Sequence, residues 1–407
     1  MKISLIKASE QSDFKEYKKF MGAPPQNIFS AAAATPTGIE IEMVDETADM
    51  RPNFGTDADI IFIFMSTPDA LRAYHLANQY KLRGKTVVLG GLHTTFLPEE
   101  ALKFADAVII GEVENVWHTI LADFQQGNLK RWYKSETPVD VTQLKPYPRN
   151  LIRPKQYKDV LSVLVSRGCR YHCSFCLVTP FFAKKAMRYR PIGDVVDEIK
   201  QSGAKYVELH SDNLTADPNY AKELFTALKP LNIQWVGETT IDMAADEEML
   251  RLAAESGLTY LLVGLETPSP AALKKAGKGF IRVEEVKKYI ENLHHYNIAV
   301  DSAFVFGFDE HDDQIFQQSL DFAREIKLDV AHGVTLIPFP GSRTFQQLEE
   351  EDRILTRNWA EYDGAHAVFQ PKHISPKTLE EGAKWFNNQF YSLGKMLNPA
   401  SWWLWAW

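Results

Sequence analysis

The chain has 407 residues, of which 45% are apolar and 24% charged, and this composition is typical of a soluble globular protein with two domains. Its formal net charge of −8 excludes a broad nucleic-acid surface, which requires clustered lysine and arginine side chains. No stretch approaches the ~20 consecutive apolar residues of a membrane helix, and the N-terminus is too charged for a signal peptide. The sequence therefore predicts a cytoplasmic protein with no transmembrane segment and no nucleic-acid partner.

Residues 1–130 alternate short apolar runs with amphipathic stretches, which is the pattern of a parallel sheet with helices on both faces. One helix is predicted over 69–82, and a shorter one begins at Pro98. Five strands in a doubly wound, Rossmann-like order place a ligand crevice at their carboxyl ends. The predicted strands are 3–6, 39–44, 60–64, 86–89 and 107–110.

Three loops follow the carboxyl ends of the third, fourth and fifth predicted strands. The first opens a helix with two hydroxyl residues that are suited to capping. The other two begin with glycine, which lets the backbone come close to a bulky ligand. The candidate ligand-binding residues of these loops are Ser66, Thr67, Gly90, Gly91, Thr94, Gly111 and Glu112.

Residues 131–158 are rich in proline and polar residues and are predicted to form an interdomain linker. The alternation of strands and helices then resumes over 159–341 with longer units. The six predicted strands are 161–165, 206–209, 233–236, 260–263, 299–306 and 334–337. The predicted helices between them are 193–202, 218–228, 246–256, 282–295 and 312–327.

All three cysteines of the chain, Cys169, Cys173 and Cys176, lie just after the first of these strands. A Cys-x3-Cys-x2-Cys run can fold three thiolates around one iron–sulfur cube and leave the fourth iron without a protein ligand. An open metal position is where chemistry, rather than structure, is done. The alternatives are structural zinc, with His172 or His210 as fourth ligand, and unrelated thiols. We favour the cluster because the second cysteine pair of a closed zinc site is missing and an odd cysteine count disfavours disulfides.

The cysteine spacing, with Phe175 directly before Cys176, resembles the signature of the radical S-adenosylmethionine (radical SAM) enzymes. This resemblance implies a [4Fe–4S] cluster whose open iron chelates SAM, and an electron from the cluster that splits SAM to a 5′-deoxyadenosyl radical. It also implies that the six strand–helix units form a partial (β/α)6 TIM-type barrel. An electron donor such as a flavodoxin or a ferredoxin is then expected as a partner.

The same resemblance assigns groups at the later strand ends to SAM. Gly264-Leu265-Glu266-Thr267 is similar to the family's pattern in which a glutamate, here Glu266, accepts the ribose hydroxyls, and a carboxylate suits a vicinal diol. Arg188 and Arg190 either meet the carboxylate of SAM or lie on the surface. The other candidates are Ser211, Asp212 and Glu238 at the methionine end, and Phe304, Pro338 and the backbone of Phe175 around adenine.

The succession Gly-Gly-x-His-x-Thr, Pro-Glu-Glu, Ala-Asp and Gly-Glu between Gly90 and Glu112 resembles the cobalamin-binding domain of one large radical SAM subfamily, the class B type. The Asp-x-His-x-x-Gly motif, whose histidine ligates cobalt in older cobalamin proteins, is absent. By position, Leu71 or Arg72 would lie near the lower cobalt face. The alternative is a vestigial domain that keeps the fold without the cofactor.

These resemblances predict a cobalamin-dependent methyltransferase that acts on an unactivated carbon or phosphorus centre of a small molecule, a lipid or a natural-product intermediate. The alternatives are a radical rearrangement, cyclisation or SAM-fragment transfer, and a non-catalytic cobalamin or iron–sulfur protein. Methylthiolation of transfer RNA is disfavoured, because it calls for a basic surface and a second cysteine cluster.

Residues 342–407 are predicted to cap the barrel mouth. Tyr362 and His366 lie in a stretch that resembles one following the barrel in the same subfamily, and they are candidates for the substrate pocket or for core packing. The tryptophan-rich end, 401–407, fits an apolar or lipid-like substrate. It equally fits packing against the protein itself or a partner.

Overall fold

The computed structural model describes residues 1–10, 24–152, 157, 160–182 and 187–391. Within these ranges the chain forms two six-stranded parallel sheets and one two-stranded antiparallel ribbon. The α/β class predicted from the alternating apolar runs is thereby confirmed. No helix in the described ranges is both long enough and apolar enough to cross a bilayer.

The first sheet has the strand order β2-β1-β3-β4-β5-β6, which is doubly wound around β1 and β3. Its strands are β1 (Lys2–Lys7), β2 (Glu40–Asp45), β3 (Ile60–Phe64), β4 (Thr86–Gly90), β5 (Ala107–Ile110) and β6 (Trp132–Lys134). Its helices are α1 (Gln26–Ala34), α2 (Ala70–Lys81), α3 (Leu92–Phe96), α4 (Pro98–Ala101) and α5 (Glu114–Gln125). Strands β1 and β3 are almost wholly buried, because helices cover both faces of the sheet.

The sixth strand of this sheet, β6, is an addition to the five predicted strands. It pairs in parallel with β5 and lies inside the stretch predicted as linker. Only Tyr133 of its three residues is buried, so the strand has no apolar run by which the sequence could reveal it. The structure does not describe 153–156, 158 or 159 of the predicted linker.

The second sheet has the order β14-β13-β12-β11-β10-β7, so each strand lies beside its neighbour in the chain. The strands of this half are β7 (Leu161–Leu164), β8 (Ser166–Arg167), β9 (Arg188–Tyr189), β10 (Tyr206–His210), β11 (Gln234–Thr239), β12 (Leu258–Val263), β13 (Ala299–Phe306) and β14 (Val330–Thr335). The helices are α6 (Val178–Phe181), α7 (Ile192–Ser202), α8 (Pro218–Leu228), α9 (Glu247–Glu255), α10 (Pro270–Lys275), α11 (Val283–His295), α12 (Ile315–Glu325), α13 (Arg343–Glu350) and α14 (Pro376–Phe390). The expected starts of α8 and α9 are confirmed, since Asp217 and Asp246 accept hydrogen bonds from the first-turn N–H groups.

The prediction for the last strand of this sheet was wrong by four residues, since β14 begins at Val330 and not at 334. Gly333 interrupts the apolar run there. A glycine is required at this position, because a Cβ would lie 2.6 Å from Cδ1 of Phe386 on α14. Packing against that helix therefore removes the apolar side chain that would have marked the strand.

Buried ion pairs hold the two halves together. Arg167 donates from Nη1 to Oε1 of Glu112 at 2.8 Å and from Nη2 to Oε1 of Glu114 at 2.6 Å. Nη1 of Arg188 also donates to Oε2 of Glu112, at 2.8 Å. These arginines lie on the antiparallel ribbon beside the cysteine loop, and the carboxylates lie at the carboxyl end of the first sheet. These ion pairs therefore bring the carboxyl-terminal edge of the first sheet close to the cysteine loop of the second half.

Candidate functional site

The three cysteines lie on one loop between β8 and α6. The loop leaves β8 at Gly168, whose φ of 94° favours glycine, and the N–H of Gly168 donates to Oδ2 of Asp212 at 2.7 Å. Further along, the N–H of Ser174 donates to the carbonyl of Ala276 at 2.9 Å. The loop is therefore tied to the ends of β10 and α10.

The thiols of these cysteines are half-buried and near enough to interact electrostatically with one another. Burial raises the pKa of the Cys173 thiol, and it raises the pKa of the Cys176 thiol to about 12. The amide Nδ2 of Asn213 lies 3.8 Å from Sγ of Cys169, and the N–H of Val178 lies 3.4 Å from Sγ of Cys176. Because cluster ligands bind as thiolates, bound metal must supply the positive charge that offsets this burial.

One candidate for the fourth ligand of a zinc site is engaged elsewhere. Burial lowers the pKa of His210, but Glu208, whose Oε1 is 3.7 Å from its Nδ1, raises that pKa overall. In the described part of the chain, no three His, Cys, Asp or Glu side chains are arranged to ligate a single metal ion.

Glu266 lies three residues after the end of β12 and has a left-handed backbone, with φ of 63°, which is uncommon for a glutamate. Strand β13 holds this conformation from both sides. The N–H of Glu266 donates to the carbonyl of Ala303 at 3.1 Å, and its carbonyl accepts from the N–H of Val305 at 2.7 Å. Glu266 is one of six non-glycine residues with positive φ in the described part of the chain. Its role in binding SAM stays a prediction.

Lys278 is a site residue that sequence reasoning missed. Its ammonium group forms a buried ion pair with the Glu266 carboxylate and donates to the carbonyl of Gly264 at 3.0 Å. It also interacts electrostatically with Cys173 and Cys176.

In the sequence, this lysine belongs to a run with Lys274 and Lys275 that is typical of a solvated helix end. The other two lysines are indeed exposed, and Lys278 is buried. The one signal in the sequence was the short separation of Lys278 from Glu266, since only helix α10 lies between them.

Glu238 lies near the carboxyl end of β11, where it is exposed to solvent although protein atoms crowd around its carboxylate. Burial by that surrounding protein, and then the charge of Asp212, raise the pKa of Glu238 to about 7. Burial also raises the pKa of Asp212. The carboxylates of Glu238, Asp212 and Glu266, all predicted to bind SAM, therefore lie in one electrostatically connected region with Lys278.

This raised pKa predicts a pH-dependent stability. A folded-state pKa above the ordinary value of about 4.3 stabilises the fold below that value, and the contribution is lost as pH rises through about 7. We expect Glu238→Gln to unfold at a slightly higher urea concentration than the native protein at pH 5, and at a much higher one at pH 8.5. Glu223→Gln, on the exposed face of α8, is the matched control. An equal shift for Glu238→Gln at both pH values would contradict the assignment.

Two further residues predicted to bind SAM, Ser211 and Phe304, are buried against other side chains. The hydroxyl of Ser211 is 2.6 Å from that of Ser166. The ring of Phe304 is fully buried between Phe322 and Phe386, at centroid distances of 6.4 and 5.2 Å. The expectation that Phe304 forms a wall for adenine is therefore wrong, because alternate residues of β13 face opposite sides and Phe304 faces the helices.

The remaining adenine candidates are Phe175, on the cysteine loop, and Pro338, after the last strand of the second sheet. Phe175 is half-buried, and its ring centroid is 5.9 Å from that of Phe308. Pro338 is buried in the segment after β14, where the N–H of Phe339 donates to the carbonyl of Ile337 at 3.0 Å. Their contacts with a ligand stay a prediction.

The two arginines after the cysteine loop differ in how many of their guanidinium nitrogens have partners. Arg190 is 4% exposed, and its guanidinium donates to Oε2 of Glu198 at 2.7 Å and to the carbonyl of Leu164 at 3.0 Å. Arg188 pairs with Glu112 across the domain interface. Arg190 therefore serves packing between elements. Arg188 is not on the surface either, but its Nε and Nη2 are buried with no hydrogen-bond partner among the described residues, so its contact with the carboxylate of SAM stays a prediction.

The glycine-led loop of the first domain is packed against protein. A Cβ on Gly91, whose φ is 107°, would lie 2.3 Å from the carbonyl oxygen of Met65, so the backbone of Met65 excludes a side chain. The carbonyl of Gly90 accepts from the N–H of Met65 at 3.0 Å. Our expectation that these glycines make room for a ligand is corrected, since a neighbouring loop accounts for them.

Several other residues of the predicted cobalamin crevice form hydrogen bonds within the protein. The hydroxyl of Thr67 lies 3.3 Å from Nδ1 of His93, and Ser66 hydrogen-bonds to Asp69. The N–H of Gly111 donates to Oγ1 of Thr95 at 3.0 Å.

By contrast, the hydroxyl of Thr94 is buried and finds no hydrogen-bond partner among the described residues. Leu71 is 41% exposed beside this crevice, whereas the guanidinium of Arg72 pairs with Glu46 at 2.6 Å. Glu112 binds the arginines of the ribbon, and this role was not foreseen.

The two candidate substrate-pocket residues after the second sheet differ in exposure to solvent. Tyr362 is fully buried, and its hydroxyl donates to the carbonyl of Thr356 at 2.8 Å, which favours the core-packing alternative. His366 is exposed, with Nδ1 3.1 Å from Oδ1 of Asp363. The tryptophan-rich stretch 401–407 lies outside the described residues.

Comparison with known proteins agrees with this geometry. Residues 163–323 match the model of the radical SAM superfamily. The chain is 31% identical over 368 residues to bacteriochlorophyllide d C-12(1)-methyltransferase of Chlorobaculum tepidum, an alignment that covers 88% of this chain and 80% of that protein.

Two solved structures share the fold over most of the chain. TsrM from Kitasatospora setae, a radical S-adenosylmethionine methyltransferase solved with cobalamin and a [4Fe-4S] cluster bound, gives a TM-score of 0.67 at 14% identity and covers 86% of this chain and 75% of its own. OxsB, a cobalamin-dependent S-adenosylmethionine radical enzyme, gives 0.70 at 15% identity and covers 100% of this chain and 70% of its own. At such identities these likenesses establish the fold alone.

The cysteine loop, the two parallel sheets and the sequence match define a radical SAM enzyme. The chain belongs to the radical SAM family whose members carry a cobalamin-binding-type, class B N-terminal domain. The family predicted from the cysteine spacing and the glycine-led loops is therefore confirmed. Enzymes of this superfamily use a [4Fe–4S] cluster and SAM.

Proposed function

We propose that this protein uses a [4Fe–4S] cluster held by Cys169, Cys173 and Cys176 to cleave SAM reductively. The observation that carries the proposal is the convergence of these thiols with the Glu266–Lys278 pair at the carboxyl ends of the second sheet. When bound, the cluster supplies the electron and the open iron that SAM chemistry requires. The donor set fits it, since three thiols on one tethered loop leave one iron of a cube free.

The residues around this loop are proposed to bind and orient SAM. The Glu266 carboxylate accepts the ribose hydroxyls, and its hydrogen-bonded backbone keeps it in place. Glu238 and Asp212 face the methionine ammonium, where a cation would favour their ionised forms. Asn213 supports Sγ of Cys169, and it is itself held by the Oγ1 of Thr239 at 2.9 Å.

We infer that the barrel excludes bulk water from this region. The order of the second sheet supports a partial (β/α)6 barrel over 159–341, with residues 1–130 as a separate domain at its mouth and 342–407 as a cap. An electron donor such as a flavodoxin or ferredoxin is part of the same proposal.

The reaction proposed is a cobalamin-dependent methyl transfer to an unactivated carbon or phosphorus centre. The methyltransferase similar over 88% of the chain supports the reaction type. The crevice of the first domain fits a large ligand in two respects, namely the unpartnered buried hydroxyl of Thr94 and the exposed side chain of Leu71. The substrate proposed is a small molecule, with lipids and natural-product intermediates included.

Anaerobic reconstitution with iron, sulfide and hydroxocobalamin, followed by SAM and a reductant, tests this function. We expect a corrinoid spectrum that stays with the protein through gel filtration, and formation of both 5′-deoxyadenosine and S-adenosylhomocysteine. Apo-protein treated in the same way without iron is the control for both products.

The outcomes separate the parts of the proposal. Deoxyadenosine alone, with no retained corrinoid, would refute methyl transfer and leave rearrangement, cyclisation or SAM-fragment transfer. Retained cofactors with neither product would favour a non-catalytic binding protein. A tightly bound zinc ion with neither product would refute the radical function altogether.

A further inference from the structure

A buried lysine stands between the cysteine loop and the proposed ribose-binding carboxylate. Lys278 is 8% exposed, and its ammonium contacts both Glu266 and the carbonyl of Gly264. A Cβ on Gly264 would lie 2.5 Å from Nζ of Lys278 and 2.4 Å from Oε1 of Glu266. The ammonium therefore fills a space that exists because residue 264 has no side chain.

The backbone that carries Lys278 is pressed against the cysteine loop. A Cβ on the preceding residue, Gly277, would lie 2.9 Å from the carbonyl oxygen of His172 and 3.5 Å from Cα of Cys173. The N–H of Lys278 itself donates to the carbonyl of Leu273 at 2.8 Å, which ends α10. Contacts of both its side chain and its main chain thus hold Lys278 in position.

We infer that Lys278 is a positioning residue that serves both cofactors, holding the Glu266 carboxylate for the SAM ribose and stabilising the negative charge of the neighbouring cluster. This inference rests on the proposed function. Three thiolates give a cubane cluster a net negative charge, which grows by one on reduction. A buried cation nearby favours the reduced form and raises the reduction potential, because net charge and burial set that potential.

The same cation decides the state of Glu266. A buried carboxylate that loses its partner becomes an uncompensated charge, and it then takes up a proton or turns toward solvent. In either case its two oxygens no longer face the ribose as a preorganised acceptor. A single substitution at Lys278 should therefore change two properties that a merely structural lysine would not couple.

The test uses the full-length, reconstituted protein with three variants. Lys278→Met removes the charge at similar length, and Lys278→Arg keeps the charge in a planar, longer group. Lys275→Met removes an exposed charge at the end of α10, three residues before Lys278. The measurements are the cluster midpoint potential, by a redox titration followed by electron paramagnetic resonance, and the Kd for SAM, by equilibrium dialysis.

We expect Lys278→Met to have a more negative midpoint potential and an about tenfold weaker affinity for SAM, as loss of one charge-assisted contact predicts. Lys275→Met should match the native protein in both measurements. Lys278→Arg should keep the native potential and bind SAM more weakly, and it decides the question if Lys278→Met does not fold.

Native values for Lys278→Met in either measurement would overturn the shared role, as would native SAM affinity in Lys278→Arg. A failure of the proposed function is recognised separately, because the native protein would then hold no cluster or bind no SAM. In that case the inference about Lys278 is rejected together with the proposed function, without any comparison among the variants.

Discussion

Cys173→Ala is expected to abolish both cluster assembly and SAM cleavage while leaving the fold intact. Each thiol of a three-cysteine site binds its own iron, so a cube with two protein ligands has two exposed corners. Bound iron should fall from about four atoms per chain to a small remainder. Deoxyadenosine formation should fall by more than the ~100-fold typical of losing an outer-shell partner of a metal.

The fold should survive this change because the loop is anchored elsewhere. Gly168 is tied to Asp212, and Ser174 is tied to Ala276. Iron content by colorimetry, deoxyadenosine by liquid chromatography and the thermal midpoint of the iron-free protein are the measurements. Ser174→Ala, in the same loop, is the control and should keep its cluster. A Cys173→Ala protein that retains four irons and full activity would refute the assignment of the ligands.

Arg167→Met is expected to cost about 3–5 kcal/mol of unfolding free energy, since it removes one side of a buried ion-pair network. Two carboxylates, Glu112 and Glu114, then lose their shared partner at the interface between the domains. The hydroxyl of Ser30, 3.2 Å from Nη2 of Arg167, loses a donor as well. Urea unfolding of the native and variant proteins without cofactors measures the effect.

The matched control is Arg170→Met, three residues further along. Arg170 is exposed, and its Nη2 is 3.4 Å from Oδ2 of Asp242. Its loss should change the stability by less than about 0.5 kcal/mol, as is usual for exposed positions. Equal unfolding curves for the Arg167 variant and the native protein would show that the ion pairs do not hold the domains together.

The same network predicts how acid destabilises the protein. Burial raises the pKa of Glu114, but the Arg167 guanidinium more than reverses this and holds the pKa below its ordinary value. The resulting stabilisation is present above the ordinary value of about 4.3 and is lost as pH falls through the lowered, folded-state pKa. In the Arg167→Met protein this contribution is already absent, so its stability should fall less steeply with acid.

The elements that the sequence predicted well are those with a strong local pattern. Strand β3 is a continuous apolar run, and the cysteine loop is recognised by the spacing of its three cysteines. The position of Glu266 was readable because a polar residue at the end of a parallel strand has few structural uses. These inferences needed no knowledge of long-range contacts.

The errors arise where a distant part of the chain decides. Glu112 was predicted to bind cobalamin, but its partner Arg167 lies 55 residues away and cannot be seen in a local pattern. The sequence could not show which face of the sheet Phe304 lies on, because residues 303–306 are consecutively apolar and do not alternate with polar residues. Lys278 was missed because its burial depends on Gly264 and the cysteine loop, although its own neighbours are exposed lysines.

A single glycine, Gly168, separates Arg167, which pairs with the carboxylates of the first half, from Cys169, the first proposed iron ligand. A chimera that joins this catalytic half to a foreign N-terminal module would therefore need carboxylates where Glu112 and Glu114 now stand. Without them, the defect should appear as poor loading of iron, even though each module folds. Evolutionary exchange of such modules is constrained in the same way, because Arg167 of the interface and Cys169 of the proposed cluster site lie on one short peptide.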